Sequence, residues 1–265
     1  MKEHMKKIIP ISILTLILPM YALAMTCNSG GGGNNPATAI TELDNNSHNN
    51  CVDADKAAWA IDKIHFFTDV YCTEGKQTLT FLGDITPTES DKEDYAGNPT
   101  LGSGSIPHGT YKCMAVRIWD NVTFSPSETT DGSDNSTAGA CVAANDYTTD
   151  LCGGDNSSAL TQVWNQDTGA QYSCTVDTAP ASEWIWVYLS TASTDLDADD
   201  QCRDCDWNPP TADNLTKGIT LGGALVISAA KTSTFKTTLT NRIADESVWS
   251  AGGPCTMLKP AFTFE

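Results

Sequence analysis

Three groups of residues in this 265-residue chain have the types and spacing to do chemistry. The first is ten cysteines: Cys27, Cys51, Cys72, Cys113, Cys141, Cys152, Cys174, Cys202, Cys205 and Cys255. In an oxidising compartment such a set reads as a disulfide framework, and the bridges over long polar loops contribute about 2–4 kcal/mol each. Cys141 and Cys152 enclose a loop rich in Gly, Asn and Asp and are candidates for a local pair. Cys202-Arg203-Asp204-Cys205 is the one C-x-x-C. It has no second knuckle for zinc, Asp206 stands where a haem site needs His, and its flanking aspartates would raise a thiol pKa. It reads as part of the disulfide framework.

The second group is Asp195, Asp197 and Asp199, whose alternate carboxylates could converge on a hard cation such as Ca²⁺. The loop lacks the glycine and the glutamate of an EF-hand, with Asp200 and Asp206 in their places, so a solvated acidic loop is the competing reading. The third is Trp184, Trp186 and Tyr188, which share one face of a strand. Such a row suits stacking on sugar rings, and it is also what a strand buried on both faces looks like. Catalytic signatures are missing. Beyond the N-terminus the histidines are His48, His65 and His108, with no H-E-x-x-H, G-x-S-x-G or phosphate-binding loop. A carboxylate pair for glycoside hydrolysis is always available among 33 acidic residues, and nothing in the spacing selects one.

The N-terminus sets the compartment. Lys6 and Lys7 precede an apolar run from Ile8 to Ala24 that is interrupted by Pro10 and Pro19. A basic start and a short apolar core make an export signal, spanning 1–26. Ala22-Leu23-Ala24 offers a cut before Met25. Leu23-Ala24-Met25-Thr26-Cys27 resembles the lipobox of bacterial lipoproteins, with Ala24 and Thr26 departing from the preferred pattern. That resemblance implies a lipid on Cys27 and a membrane partner. Asn28 in place of Asp implies no retention at the inner membrane, hence the outer membrane or cell surface, with periplasmic or extracellular release as the alternative. Residues 27–50, with Gly30 to Gly33, read as a flexible tether. Lipidation at Cys27 would leave nine cysteines, an odd number, which counts against it.

Composition narrows the partners. The net charge is −18, and the leader carries Lys2, Lys6 and Lys7 against Glu3, so the part beyond it stands near −20. Phosphate backbones and anionic lipid surfaces would repel it, which excludes nucleic-acid binding as a function class. Asn-x-Ser/Thr sequons, Asn121 and Asn214 among them, need a pathway that glycosylates.

Polar stretches rich in Thr, Ser, Asn, Asp and Gly separate short apolar runs, the pattern of strands and loops. Ile64 to Val70 alternates and reads as a strand ending at Cys72, paired through a Glu74-Gly75-Lys76 turn with Thr78–Leu82. A helix over 54–64 fits as well. Thr110–Trp119 reads as one strand with Met114, Val116 and Ile118 on one face and Arg117 toward solvent. Further strands are expected at 160–164 and 171–176 around an Asp167-Thr168-Gly169 turn, and at 183–189. Residues 215–229 form another, broken at Gly222-Gly223, followed by strands at 235–239 and 257–264.

Ile106-Pro107-His108-Gly109-Thr110-Tyr111 resembles the turn that leads into a strand in transthyretin-like and Ig-like modules of exported bacterial proteins. Ile61 to Cys72 is similar to the opening strand of uncharacterised lipoproteins of that kind. The resemblance implies a β-sandwich and carries no catalytic residues. The expectation is therefore a mainly β, disulfide-stabilised antiparallel sandwich over 51–265. Its expected role is non-enzymatic, of binding or structural type, with calcium as the one cofactor the sequence offers. The alternatives are a carbohydrate-binding module with a glycan partner, a self-assembling envelope or filament subunit partnered by envelope protein, and a secreted glycoside hydrolase.

Overall fold

The computed structural model describes residues 51–83, 85–96, 105–130, 141–150, 162–173, 184–194, 208–215, 217–229, 235–240, 243–245, 255–257 and 261–264. The expected leader and tether, with Cys27, lie outside them, as do Asp195, Asp197, Asp199, Cys152, Cys174, Cys202 and Cys205. In chain order the strands begin with β1 (Cys51–Val52), β2 (Ala54–Trp59), β3 (Ile61–Phe67), β4 (Gln77–Thr80), β5 (Glu93–Asp94) and β6 (Gly109–Tyr111). Next come β7 (Cys113–Trp119), β8 (Asn121–Pro126), β9 (Tyr147–Asp150), β10 (Gln162–Asn165), β11 (Ala170–Ser173) and β12 (Trp184–Ser190). The last are β13 (Ile219–Thr220), β14 (Leu225–Ile227), β15 (Phe235–Thr238), β16 (Ile243–Asp245), β17 (Cys255–Met257) and β18 (Ala261–Phe264). One short 3₁₀ turn at Glu89–Asp91 is the helical element among the described residues, and none of their helices is long and apolar enough to cross a membrane.

Two sheets carry the architecture. One has the order β13-β12-β7-β3-β4, the other β5-β2-β8-β9. They share their strands. β2 runs into β3 across Ala60, and β7 runs into β8 across Asp120. β2 pairs with β8, and β3 with β7. The two are therefore one antiparallel ribbon that bends from sheet to sheet, as strands at sandwich corners do. The Trp119 amide donates to the Ala60 carbonyl at the bend, 2.9 Å. Just beyond it a bulge between Ile61 and Lys63 leaves Asp62 out of the ladder with β7, and Asp62 is fully buried.

Register fixes the faces. On the five-stranded sheet Ile64, Val116 and Val187 form one inward row, and Phe66, Met114 and Leu189 the next. Ala57, Trp59, Val122 and Phe124 of the second sheet join the same buried apolar cluster. This is the β-sandwich core, and Cys72–Cys113 and Cys141–Cys255 are disulfides.

Three local readings need correction. The stretch 54–64 is strand on both sides of Ala60, not helix, because its apolar residues feed two sheets in turn. The strand expected over 110–119 is two, divided at exposed Lys112: β6 pairs with β14, whereas β7 lies between β3 and β12. Cys141 bonds to Cys255 rather than Cys152, joining the loop after β8 to β17. The expected break at Gly222-Gly223 lies between β13 and β14. A Cβ on Gly223 would stand 2.8 Å from the Phe264 carbonyl oxygen, so the close pass of β18 requires glycine there.

Candidate functional site

The outward face of the five-stranded sheet mixes polar and aromatic side chains where the inward rows are wholly apolar. Its rows are Thr80, Lys63, Arg117 and Trp186, then Thr78, His65, Ala115 and Tyr188. The β10–β11 hairpin folds over this face. The Tyr188 hydroxyl donates to the Trp164 carbonyl of β10 at 2.9 Å, and Gln166 in the hairpin turn donates to the Cys72 carbonyl at 3.2 Å. The same turn delivers Asp167.

His65 is the centre. It is 2 % exposed, and its ring stacks on Trp186 with centroids 4.8 Å apart. Ala115, between His65 and Tyr188 in the row, carries only a methyl and leaves room for that stack. Nε2 lies 2.9 Å from Asp167 Oδ1, and Nδ1 lies 2.8 Å from Thr78 Oγ1. An ionised carboxylate only accepts, so Nε2 carries the proton and Nδ1 of the neutral ring accepts from the Thr78 hydroxyl. Burial lowers the His65 pKa, against the opposing pull of the Asp167 hydrogen bond. Lys63 and Lys76 lie 3.4 Å from the two Asp167 oxygens. For Asp167 burial acts upward, but the His65 hydrogen bond and the lysine charges outweigh it and hold the carboxyl below its usual range.

Lys76 is presented by the loop between β3 and β4. Asp69 organises this loop, accepting from the amides of Tyr71, Thr73 and Glu74 and from the Thr73 hydroxyl. Burial raises its carboxyl and these bonds overcome it, so its pKa is lowered. Gly75 has φ +66°, and a Cβ there would meet Thr68 Oγ1 at 2.4 Å. Beside the site, Asp62 is fully buried and accepts from Arg117 at 2.8 Å and from the Gly83 amide at 2.9 Å. Arg117 lies over the Trp184 ring, 5.7 Å to the centroid.

Of the two readings of the aromatic row, the buried strand is the one observed for Trp186 and Tyr188. Trp186 and Tyr188 are sealed beneath the hairpin, at 1 % and 0 % exposure, and cannot offer their faces to a sugar. Trp184 is half-buried, its indole N–H donating to the Ile85 carbonyl at 2.9 Å. Sequence reasoning missed Thr78 and Asp167 as partners of His65. The expected hairpin put Thr78 beside β3, but only the tertiary fold brings Asp167 in. Among the described residues no group of three or more His, Cys, Asp or Glu is placed to hold a metal ion.

Chemically, hydroxyl, imidazole and carboxylate stand in the order of a nucleophile, a base and the group that orients the base. No protein-family model matches the chain, and neither does any curated protein or solved structure.

Proposed function

We propose that this chain is an exported, non-enzymatic β-sandwich of structural type, held at the cell envelope or surface through a lipid on Cys27. The observation that carries the reading is that the site's polar groups are spent on one another. Both His65 nitrogens are engaged, and Asp167 is shared among His65, Lys63 and Lys76. Trp186 packs on the imidazole and restricts its swing. Two disulfides between distant parts of the chain support a life outside the reducing cytoplasm. The burial of Trp186 and Tyr188 weighs against a glycan platform, which leaves the structural role, a subunit that assembles with its own kind, as the reading proposed. The test is the state of the purified mature protein at high concentration. Ordered self-association in sedimentation and electron microscopy supports the reading; a strictly monomeric protein overturns it. Incorporation of a tagged fatty acid, lost on Cys27→Ala, tests the anchor. Calcium at Asp195, Asp197 and Asp199 is a separate proposal: EDTA then lowers the melting temperature.

The order Thr78–His65–Asp167 favours one second reading, an acyl-transferring hydrolase in which Nδ1 takes the exposed Thr78 proton. It requires a covalent Thr78 adduct with an activated ester, absent in His65→Gln. Without an adduct the hydrolase reading fails.

A further inference from the structure

A second basic side chain is buried on the outward face of the other sheet. Asn121 and Thr123 of β8 face away from the core, opposite in sense to Val122 and Phe124. The segment before β5 lies across them. Thr88 and Asp91 close a capping box on the 3₁₀ turn, and Tyr95 just after β5 stacks flat on Trp59 with centroids 4.3 Å apart. Between these anchors Lys92 reaches over β2 to β8, its side chain only 3 % exposed. Its Nζ lies 2.6 Å from Asn121 Oδ1, 2.6 Å from Thr123 Oγ1 and 2.8 Å from Glu89 Oε2. The Trp119 ring stands 4.7 Å away. Asn121 is 2 % exposed, so its sequon is closed to glycosylation in the folded chain.

Lysine is seldom buried so deeply. Here an amine on the anchored segment between the 3₁₀ turn and β5 is held against a carboxamide on β8. Oδ1 is bonded to Cγ at about 1.2 Å, so Nζ is within about 3.8 Å of the carboxamide carbon. That is close to the separation from which bound reactants proceed, with the cost of bringing them together already met by folding. We propose that Lys92 and Asn121 form an intramolecular isopeptide bond. Glu89 takes a proton from the Lys92 ammonium, and the freed lone pair attacks Asn121 Cγ. The Cγ–Nδ2 bond breaks as Glu89 returns that proton to Nδ2, and the departing ammonia takes the second proton that the Lys92 nitrogen sheds on becoming an amide, leaving as ammonium. Ammonium and carboxamide become a secondary amide and an ammonium ion, with no oxidant or reductant. The product ties the segment before β5 across β2 to β8 and removes a buried charge. This does not rest on the export reading; a cytosolic or secreted chain would do the same.

Intact mass spectrometry of the purified full-length chain, reduced and alkylated so that disulfides do not count, tests it. The expected deficit is one ammonia, about 17 Da. Trypsin should fail to cut after Lys92 and should release a branched peptide joining Lys92 to Asn121. Lys92→Arg keeps the charge and hydrogen-bond donors, and should restore the full mass. A wild-type chain of full mass overturns the proposal. So does a deficit that persists in Lys92→Arg, which would be imide formation at an asparagine. Glu89→Gln changes an exposed side chain and should leave a fraction unbonded; complete bonding in it overturns the role given to Glu89.

Discussion

The outer faces of the two large sheets bury a basic side chain by opposite routes. On the five-stranded sheet the cover comes from far along the chain: the β10–β11 hairpin brings Asp167 to His65 across 102 residues. The buried group is an aromatic ring that packs flat on Trp186 and loses its proton readily. On the four-stranded sheet the cover is local, since Lys92 reaches Asn121 over 29 residues. The buried group is a flexible ammonium whose three N–H groups find three acceptors. The two disulfides differ in reach as well. Cys113 lies in the outward row beyond Ala115, whereas Cys141 follows β8 and bonds to β17. A polar face is closed by a long-range lid where the group can become neutral, and by a short strap where a fixed charge must be matched donor by donor.

The largest effect expected is on the crosslinks. Cys141→Ser with Cys255→Ser should cost about 4–5 kcal/mol, and the Cys72–Cys113 pair about 1 kcal/mol less, because the loop closed spans 114 rather than 41 residues. Urea unfolding of each double variant measures this. An equal or reversed order would mean that the Cys72–Cys113 bridge holds the His65 face together beyond its loop-closure contribution, since the Cys72 carbonyl also accepts from Gln166 of the lid. Next in size, Trp186→Ala should lose about 3–5 kcal/mol by the same measurement, through the void and the lost stack under His65. Asp167→Ala should cost about 1–3 kcal/mol, leaving the His65 Nε2 proton without its acceptor. Glu89→Ala, on an exposed partner, should cost under about 1 kcal/mol. The contrast between those two variants is the sharpest reading of long-range lid against local strap.

The smallest effect is the pH dependence. Burial holds the His65 pKa below about 6.5, its ordinary value. Above that value both folded and unfolded chains carry it neutral, and its contribution is fully present. As pH falls, the unfolded chain takes up a proton that the folded chain does not, so stability declines until pH passes the folded pKa. The melting temperature should therefore drop between about pH 7 and pH 5, and His65→Gln should flatten that interval.

The sequence made the alternating elements legible. The β3–β4 hairpin, the β10–β11 pair around its Asp-Thr-Gly turn and β12 stand near their expected positions, because each is a local apolar pattern bounded by turn residues. The Gly222-Gly223 break was readable for the same reason. β2 was ambiguous because residues 54–64 serve two sheets, and a bend at Ala60 mixes two periodicities in one window. β8 and β9 were not anticipated: Asn121, Thr123 and Ser125 look like loop residues, yet all three are buried, the first two bonded to Lys92 and the third to Asp146. The site was legible only in halves. The expected hairpin set Thr78 beside the strand of His65 without marking the pair as a site, while Asp167 depends on a contact that no local pattern encodes.

The bent ribbon has a kinetic consequence. Ala54 must find Pro126 and Phe67 must find Cys113, and neither layer can form without the other because the same strands build both. Topologies so dominated by distant pairings fold in milliseconds to seconds, not microseconds. Cys72 and Cys113 sit at the end of the ribbon where the loop between its arms is shortest. Oxidation there ahead of zippering would turn a search through open chain into closure from a tethered end, with the bend at Ala60 and Asp120 reached last but for the strands beyond it.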